Sequence, residues 1–284
     1  MKIRVFLILA LIIFCFGGIV TAQFPTWNIG TAKTLPPLDF RIAAFQPSAI
    51  GIVRTVELSA QPLLFFVAPN ISMKKQWYLK RIIIATNHGF YYPSYTLKLI
   101  SKNRIAGLLE KDVNIPQIFA FRNEVLITRE LGAKQCTAYL EPEQGVEDKT
   151  KNIIFTLKLG VQFALEADES SFRAIEKPVL YQRTAVYQDT TLWYAGFDAD
   201  GPLYKNINFS ADIDLFSVDF KDYAVEHKGM LLFNRNNRFS CLIGYKLSAG
   251  TYPDNFRFGI YPLVDFLWYF HRLKVRDGLK DIGL

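Results

Sequence analysis

The sequence predicts an all-β fold, a closed antiparallel transmembrane β-barrel of about 12 strands, with about 10 strands as the second choice. Three observations support this prediction. Long segments alternate strictly between polar and apolar residues, which is the two-residue period of a β-strand. Several of these segments reach the about 9–11 residues that a tilted strand needs to cross a bilayer. A leader typical of exported proteins precedes them.

The alternation is clearest in the segment Asn206–Leu215. Its polar residues would point to one side of a strand, and its apolar residues to the other. The polar set is Asn206, Asn208, Ser210, Asp212 and Asp214, and the apolar set is Ile207, Phe209, Ala211, Ile213 and Leu215. A helix would mix the two sets on every face. Because Ile153–Glu166 and Phe256–Phe270 repeat the pattern, we expect many long strands of one kind.

The N-terminus has the three parts of a secretory signal peptide. Lys2 and Arg4 form a basic region, Val5 to Phe16 is apolar, and small or short residues lead up to Ala22. We therefore predict that residues 1–22 are cleaved. A membrane anchor is the alternative, but the apolar stretch is short for a spanning helix of about 20 residues.

The mature chain divides into three predicted parts: an extended lead-in at residues 23–49, the barrel at residues 50–270, and a polar tail at residues 271–284. Twelve candidate strands are Leu38–Phe45, Ile50–Ser59, Ile71–Leu79, Arg81–Phe90, Ile118–Thr128, Gln135–Leu140, Ile153–Glu166, Tyr187–Ala199, Asn206–Leu215, Tyr223–Phe233, Phe239–Ser248 and Phe256–Phe270. Without the first there are eleven. Since single-chain bacterial barrels usually have an even number of strands, twelve is preferred.

The connections between the candidate strands also have recognisable features. Asp200-Gly201-Pro202 and Asn234–Asn237 contain turn-forming residues. Pro62–Pro69 is an apolar segment with a proline at each end, and we interpret it as a turn that enters an apolar environment. Glu141–Lys151 is polar and predicts an exposed loop. Ser94–Pro116 has mixed polarity, room for a short helix, and the length of a loop, cap or plug.

The apolar faces could contact either a protein core or lipid. A soluble β-sandwich also alternates, but its strands are usually about 5–6 residues long. Large apolar residues opposite Asn, Asp, Lys and Arg, together with aromatic residues near strand ends such as Trp193 and Trp268, favour lipid. A barrel also leaves no exposed sheet edge. A periplasmic or secreted β-sandwich binding module stays as the alternative.

In these patterns the chain resembles bacterial outer-membrane β-barrel proteins over Ile50–Phe270. The resemblance lies in the pattern and is not specific to one family. It implies an outer-membrane location, contact with outer-membrane lipid, recognition by the barrel assembly machinery, and a porin-like pore, transport or structural role. Such proteins often end on an aromatic strand residue. Phe270 fits, although 14 residues follow it.

The polar faces of the strands would line the lumen of such a barrel, and a small polar solute is a candidate partner. The charged lumen candidates are Lys158, Glu166, Asp198, Asp212, Asp214, Glu226, Lys228, Lys246, Arg257 and Asp265. Complementary charges that fill a narrow interior are the ordinary explanation. The sharper hypothesis is a solute or ion path in which Asp212 and Asp214 bind a cation with a third oxygen ligand.

Catalysis has little support in the sequence. A third hypothesis, a lipid-modifying enzyme of the outer membrane, needs His88 or His227 beside a serine and a carboxylate. Glu226 precedes His227, so the two would face opposite sides of a strand. No nucleophile elbow, zinc motif or phosphate-binding glycine loop is present, so we predict no catalytic residues, metal site or cofactor.

Charge and cysteines add little to the assignment of function. The net charge of +7 includes Lys2 and Arg4, so the mature chain carries +7 − 2 = +5. These charges are dispersed, and no basic patch is interleaved with aromatic residues, so nucleic acid is excluded as a partner. Cys136 and Cys241 are either one disulfide or two unrelated thiols.

Overall fold

In a computed structural model, the chain forms a closed barrel of twelve antiparallel strands. The structure describes residues 29–62, 69–79, 82–111, 113–131, 153–167, 172–188, 190–204, 207–236, 238–252 and 255–270. Within these residues, no helix combines the length and the apolar character that crossing a membrane requires.

The strands are β1 (Phe40–Ala43), β2 (Ser48–Val53), β3 (Val56–Ala60), β4 (Asn70–Leu79), β5 (Ile82–Tyr91), β6 (Ile118–Leu131), β7 (Ile153–Glu166), β8 (Thr191–Tyr204), β9 (Ile207–Val218), β10 (Asp222–Asn236), β11 (Phe239–Tyr252) and β12 (Asn255–Phe270). The helices are α1 (Ser94–Asn103), a 3-10 turn (Ile105–Gly107) and α2 (Tyr181–Ala185).

Each strand pairs with its neighbours in the sequence, and β1 pairs with β12 to close the barrel. At the closure Phe40 lies opposite Phe270, and their rings stack with centroids 4.5 Å apart. The predicted closed antiparallel fold with twelve strands is therefore confirmed, and a β-sandwich is wrong. Closure removes the unpaired edges that so many long strands would otherwise expose.

The twelve strands of the structure are not the same twelve segments that the sequence predicted. The single strand predicted at Ile50–Ser59 is in fact the hairpin of β2 and β3, which turns at Arg54 and Thr55. The strand predicted at Gln135–Leu140 lies outside the described residues. The first candidate strand, Leu38–Phe45, contains β1.

Two further boundaries differ from the prediction. Strand β8 begins at Thr191 rather than Tyr187, and it continues through the predicted turn Asp200-Gly201-Pro202. Pro202 lacks a backbone N–H, but it is tolerated because the register with β9 shifts just after it. The turn predicted at Asn234–Asn237 sits slightly later, since β10 extends to Asn236 with a register irregularity.

The two ends of the barrel are built differently. At the end where β1 starts and β12 finishes, here called the termini end, four of the five connections consist of two residues each: 54–55, 80–81, 205–206 and 237–238. The fifth, residues 132–152, lies outside the described residues. The opposite end, here called the cap end, receives the long segments 92–117 and 167–190. α1 lies in the first of these and α2 in the second, and the helix expected within Ser94–Pro116 is thereby confirmed.

The outer face of the barrel is largely apolar around its circumference. Exposed large apolar side chains occur on every strand from β1 to β12 except β3, whose outward Leu58 is half-buried. They include Ile42, Ile50, Ile71, Ile82, Val125, Leu159, Phe197, Ile213, Leu231, Ile243 and Ile260. The interior holds the remaining side chains, many of them polar or charged.

Candidate functional site: the charged interior

The candidate site lies in the barrel interior, because every second side chain along each strand points inward. On β9, Asn208, Ser210 and Asp212 are buried, whereas Ile213 and Leu215 are exposed on the outside. The ladder pairs Asp212 with Asp198 of β8 and with Lys228 of β10. Lys228 in turn pairs with Lys246 of β11. Charged residues from neighbouring strands therefore meet at one level of the barrel.

Lys158 on β7 holds two carboxylates at the centre of this level. Its Nζ lies 2.7 Å from Asp198 Oδ1 and 2.7 Å from Asp214 Oδ1. Gly196 stands opposite both Lys158 and Asp214. A Cβ atom at Gly196 would lie 2.0 Å from Asp214 Oδ1 and 2.6 Å from Lys158 Cε. The absence of a side chain at Gly196 is what lets the two charges cross that strand and meet.

Glu226 on β10 is shared by two cations. The guanidinium of Arg183 donates from Nη1 to Oε1 at 2.6 Å and from Nη2 to Oε2 at 2.7 Å. Lys246 Nζ lies 2.6 Å from Oε2 of the same carboxylate. Nearby, Lys228 Nζ lies 2.5 Å from Asp212 Oδ2. Because Asp212 and Asp214 are each paired with a lysine, neither carboxylate is left open for the cation site considered from the sequence.

The remaining lumen candidates are not part of this central level. Asp265 is buried near the termini end of β12, and its carboxylate accepts hydrogen bonds from the backbone N–H groups of Ala44, Phe45 and Gln46. It shapes the β1–β2 connection. Arg257 lies at the cap end and pairs with Glu176 at 2.7 Å. Glu166 ends β7 at the cap end and is half-buried.

A second interior cluster was missed by the list of lumen candidates. Arg122 and Glu124, two apart on β6, interact at 2.8 Å. Tyr194 OH donates to Glu124 Oε1 at 2.8 Å and accepts from Arg122 Nε at 2.7 Å, while Asn87 Nδ2 donates to Glu124 Oε2 at 3.1 Å. The signal was present, since Arg122 and Glu124 share the polar face of a predicted strand.

The chain preceding β1 enters the barrel at the termini end; residues Ile29–Asp39 are here called the N-terminal insert. Ala32 N donates to Thr128 Oγ1 at 2.8 Å, and Leu35 N donates to Glu57 Oε2 at 2.9 Å. Lys33 pairs with Glu130. These partners are inward side chains of β3 and β6, so the insert lies inside the wall. The sequence showed only a segment with prolines and little pattern here.

The second insert comes from the cap end and consists of residues 172–188, here called the β7–β8 insert. Val179 N donates to Ser248 Oγ at 3.1 Å, and Tyr261 OH donates to Pro178 O at 3.0 Å. Its helix α2 packs Tyr181, Ala185 and Val186 against the inner faces of β8, β9 and β10. Burial raises the pKa of Tyr187 in this insert. Together with the Arg183–Glu226 pair, these contacts seat the insert within the barrel.

The segment predicted as a loop, cap or plug, Ser94–Pro116, acts as a cap. Ile118 N donates to Ser94 Oγ at 2.7 Å, which fixes the start of α1 to the start of β6. Leu97 of α1 packs with Ile115, Ile118 and the first part of the β7–β8 insert. The segment therefore covers the cap end, and the β7–β8 insert beneath it reaches the charged level.

The two candidate histidines, His88 and His227, face outward, and no catalytic arrangement forms around them among the described residues. His88 Nδ1 lies 2.8 Å from Asn123 Oδ1, and His227 contacts the carbonyl of Asp212 at 2.6 Å and Tyr245 OH at 3.2 Å. Among the described residues, neither histidine hydrogen-bonds to a serine or a carboxylate, and no three His, Cys, Asp or Glu side chains are grouped to hold a metal. Cys241 is buried, and Cys136 lies outside the described residues, so the choice between a disulfide and two thiols stays a prediction.

The class of protein is thus defined by fold and interior: a closed, antiparallel, twelve-strand β-barrel whose charged centre is covered by an insert from each end. No protein-family model matches the chain, and no curated protein is similar to it at a significant level.

Proposed function

We propose that this chain is an exported bacterial outer-membrane β-barrel, closed at rest, that admits a small polar solute when an insert moves. The observation that supports the membrane location is the apolar outer face around a charged interior. A water-soluble protein rarely exposes a contiguous apolar patch beyond about 300–600 Å². Lipid-facing apolar residues that alternate with polar interior residues are typical of outer-membrane barrels.

Aromatic side chains on the outer face support the same location. Trp268 and Phe270 lie at the termini end, and Trp193 and Phe256 lie near the cap end, all of them exposed. Aromatic girdles at both interfaces are characteristic of membrane barrels. The outward-facing Lys75 is also close to the termini end, where a long side chain can reach the headgroup region, and its Nζ donates to Thr55 Oγ1 at 2.9 Å.

The turn lengths support an orientation in the membrane. Outer-membrane barrels have short periplasmic turns and longer extracellular loops. Four of the five connections at the termini end have two residues each, and the fifth is residues 132–152; the cap end has the two longest connections, 92–117 and 167–190. In our proposal the termini end therefore faces the periplasm, and the cap end faces the outside.

A transport role rests on the character of the barrel centre. A purely structural barrel could be filled with apolar side chains at lower cost, because burying charges requires every one to be paired. Here the central level is ionic, and Arg183 of the β7–β8 insert completes it through Glu226. A polar path would open if that insert were displaced.

Tryptophan quenching tests the membrane location directly. Trp77, Trp193 and Trp268 are exposed on the outer face, while Trp27 lies outside the described residues. In vesicles of brominated phospholipid, we expect strong quenching of the fluorescence of these three residues. A variant with Phe at all three positions measures the contribution of Trp27 alone. Recovery of the mature protein in a detergent-free periplasmic extract, with unquenched tryptophans, would refute the proposal.

A further inference from the structure

In the ion pairs of Glu226 and Asp212, the cation is more accessible than the carboxylate. The Arg183 side chain is 37% exposed, whereas that of Glu226 is 0% exposed. Lys228 is 28% exposed against 8% for Asp212. Since these side chains point into the barrel, their accessible parts face the space that the strands enclose. That surface is therefore lined by donors, with the acceptors recessed into the wall.

The charges around Glu226 do not balance. Arg183 and Lys246 share this one carboxylate, which leaves a surplus of one positive charge. Lys228, the cross-strand partner of Lys246, is balanced by Asp212. The compensating surplus of negative charge lies at Lys158, which serves both Asp198 and Asp214. The carboxylates of that group are 8% and 15% exposed, against 21% to 37% for Arg183, Lys228 and Lys246, so the larger part of the accessible charge is positive.

We infer that the interior binds a small soluble oxyanion, a phosphate or carboxylate group, between Arg183, Lys246 and Lys228. A guanidinium and two ammonium groups supply converging, charged donors, and such groups form the stronger class of hydrogen bonds with oxyanions. The carboxylate of Glu226 contacts Arg183 and Lys246 from the wall and competes with a solute for these two cations. The inference deepens the transport role proposed above by naming an anionic solute, and it rests on that role only for its biological meaning.

The test is calorimetric titration of the full mature chain, purified in a non-ionic detergent at low ionic strength, with inorganic phosphate and with glycerol 3-phosphate. We expect saturable binding of both probes at one site and no binding of glycerol. Lys246→Gln removes one charged donor and should weaken phosphate binding at least about tenfold. Lys75→Gln removes an outer-face cation and should leave the affinity unchanged.

Glu226→Gln keeps the shape of the side chain and removes the competing charge, so phosphate should bind about tenfold more tightly in that variant. The titration of the unaltered protein also decides the matter if a variant does not fold. Absence of saturable phosphate binding there overturns the inference. Equal weakening of phosphate binding by Lys75→Gln and Lys246→Gln overturns it as well. Tighter binding of a short-chain phosphatidic acid than of phosphate would place the site on the lipid face and would also overturn the inference. The phosphate titration is done in detergent and does not depend on insertion into vesicles. Absence of phosphate binding is therefore a separate result from absence of tryptophan quenching.

Discussion

Replacing Gly196 with alanine should destabilise the barrel more than any other single methyl group added to β8. The new Cβ would lie 2.0 Å from Asp214 Oδ1 and 2.6 Å from Lys158 Cε, so one or both charged groups must move. Overpacking a well-packed interior costs about 1–3 kcal/mol. Breaking a buried ion pair costs about 3–5 kcal/mol. Because Lys158 keeps Asp198 as a second partner, we expect a loss of about 3 kcal/mol, between these two limits.

The measurement is the free energy of unfolding in detergent micelles from denaturant titration, followed by tryptophan fluorescence. Gly201→Ala is the matched control, since Gly201 lies on the same strand but faces outward, and the nearest contact of its new Cβ is the movable ring of Phe209 at 3.2 Å. We expect this control to change stability by less than about 1 kcal/mol. Equal effects of the two substitutions would refute the reasoning.

A double variant isolates the cause of the destabilisation. Asp214→Ala removes the oxygen that the new methyl group would strike, while Asp198 continues to pair with Lys158. We therefore expect Gly196→Ala to cost less in the Asp214→Ala background than in the native chain, with a coupling energy of about 1 kcal/mol or more. If the losses of unfolding free energy from the two substitutions simply add, the clash with Asp214 is not the source of the destabilisation.

Two further predictions concern the β7–β8 insert and the β1–β2 connection. Arg183→Gln removes the bidentate contact to Glu226, so the insert should loosen, and planar-bilayer recordings should show openings that are absent from the native protein and from Lys75→Gln. A silent Arg183→Gln channel would contradict the role of the insert as a gate. Asp265→Ala removes the acceptor of the N–H groups of Ala44, Phe45 and Gln46, so it should lower the free energy of unfolding by roughly 3 kcal/mol. Limited proteolysis should then cut at residues 44–47, and a wild-type cleavage pattern would count against this account.

The fold was predictable because strand alternation is a local property of the sequence. In Ile207–Leu215 and Phe155–Glu166 each residue was assigned to the correct face, since a strand turns its side chains by half a revolution per residue. Short elements were harder to predict. In Ile50–Ser59, the turn at Arg54 and Thr55 contains neither glycine nor proline, so nothing local marked it as a hairpin.

The inserts were not predictable from local pattern because their positions are set by distant partners. The N-terminal insert has no periodicity, and its place depends on Glu57 and Thr128, which lie far along the chain. Arg183 likewise sits in a connector, and only the fold brings it to Glu226, 43 residues away. Sequence reasoning could list Glu226 and Lys246 as lumen residues, but it could not find the third member of their cluster.

The contribution of Arg183 from a connector also bears on how the barrel could open. The ion-paired wall residues of the central level, Lys158, Lys228 and Lys246 against Asp198, Asp212, Asp214 and Glu226, carry three positive and four negative charges. Arg183 supplies the fourth positive charge, so the wall is neutralised only while the β7–β8 insert is seated. Withdrawing the insert leaves Glu226 with Lys246 alone and an excess negative charge in a site of low polarity, which is costly. Electrostatics therefore holds the closed state, and water must solvate Glu226 as the insert leaves.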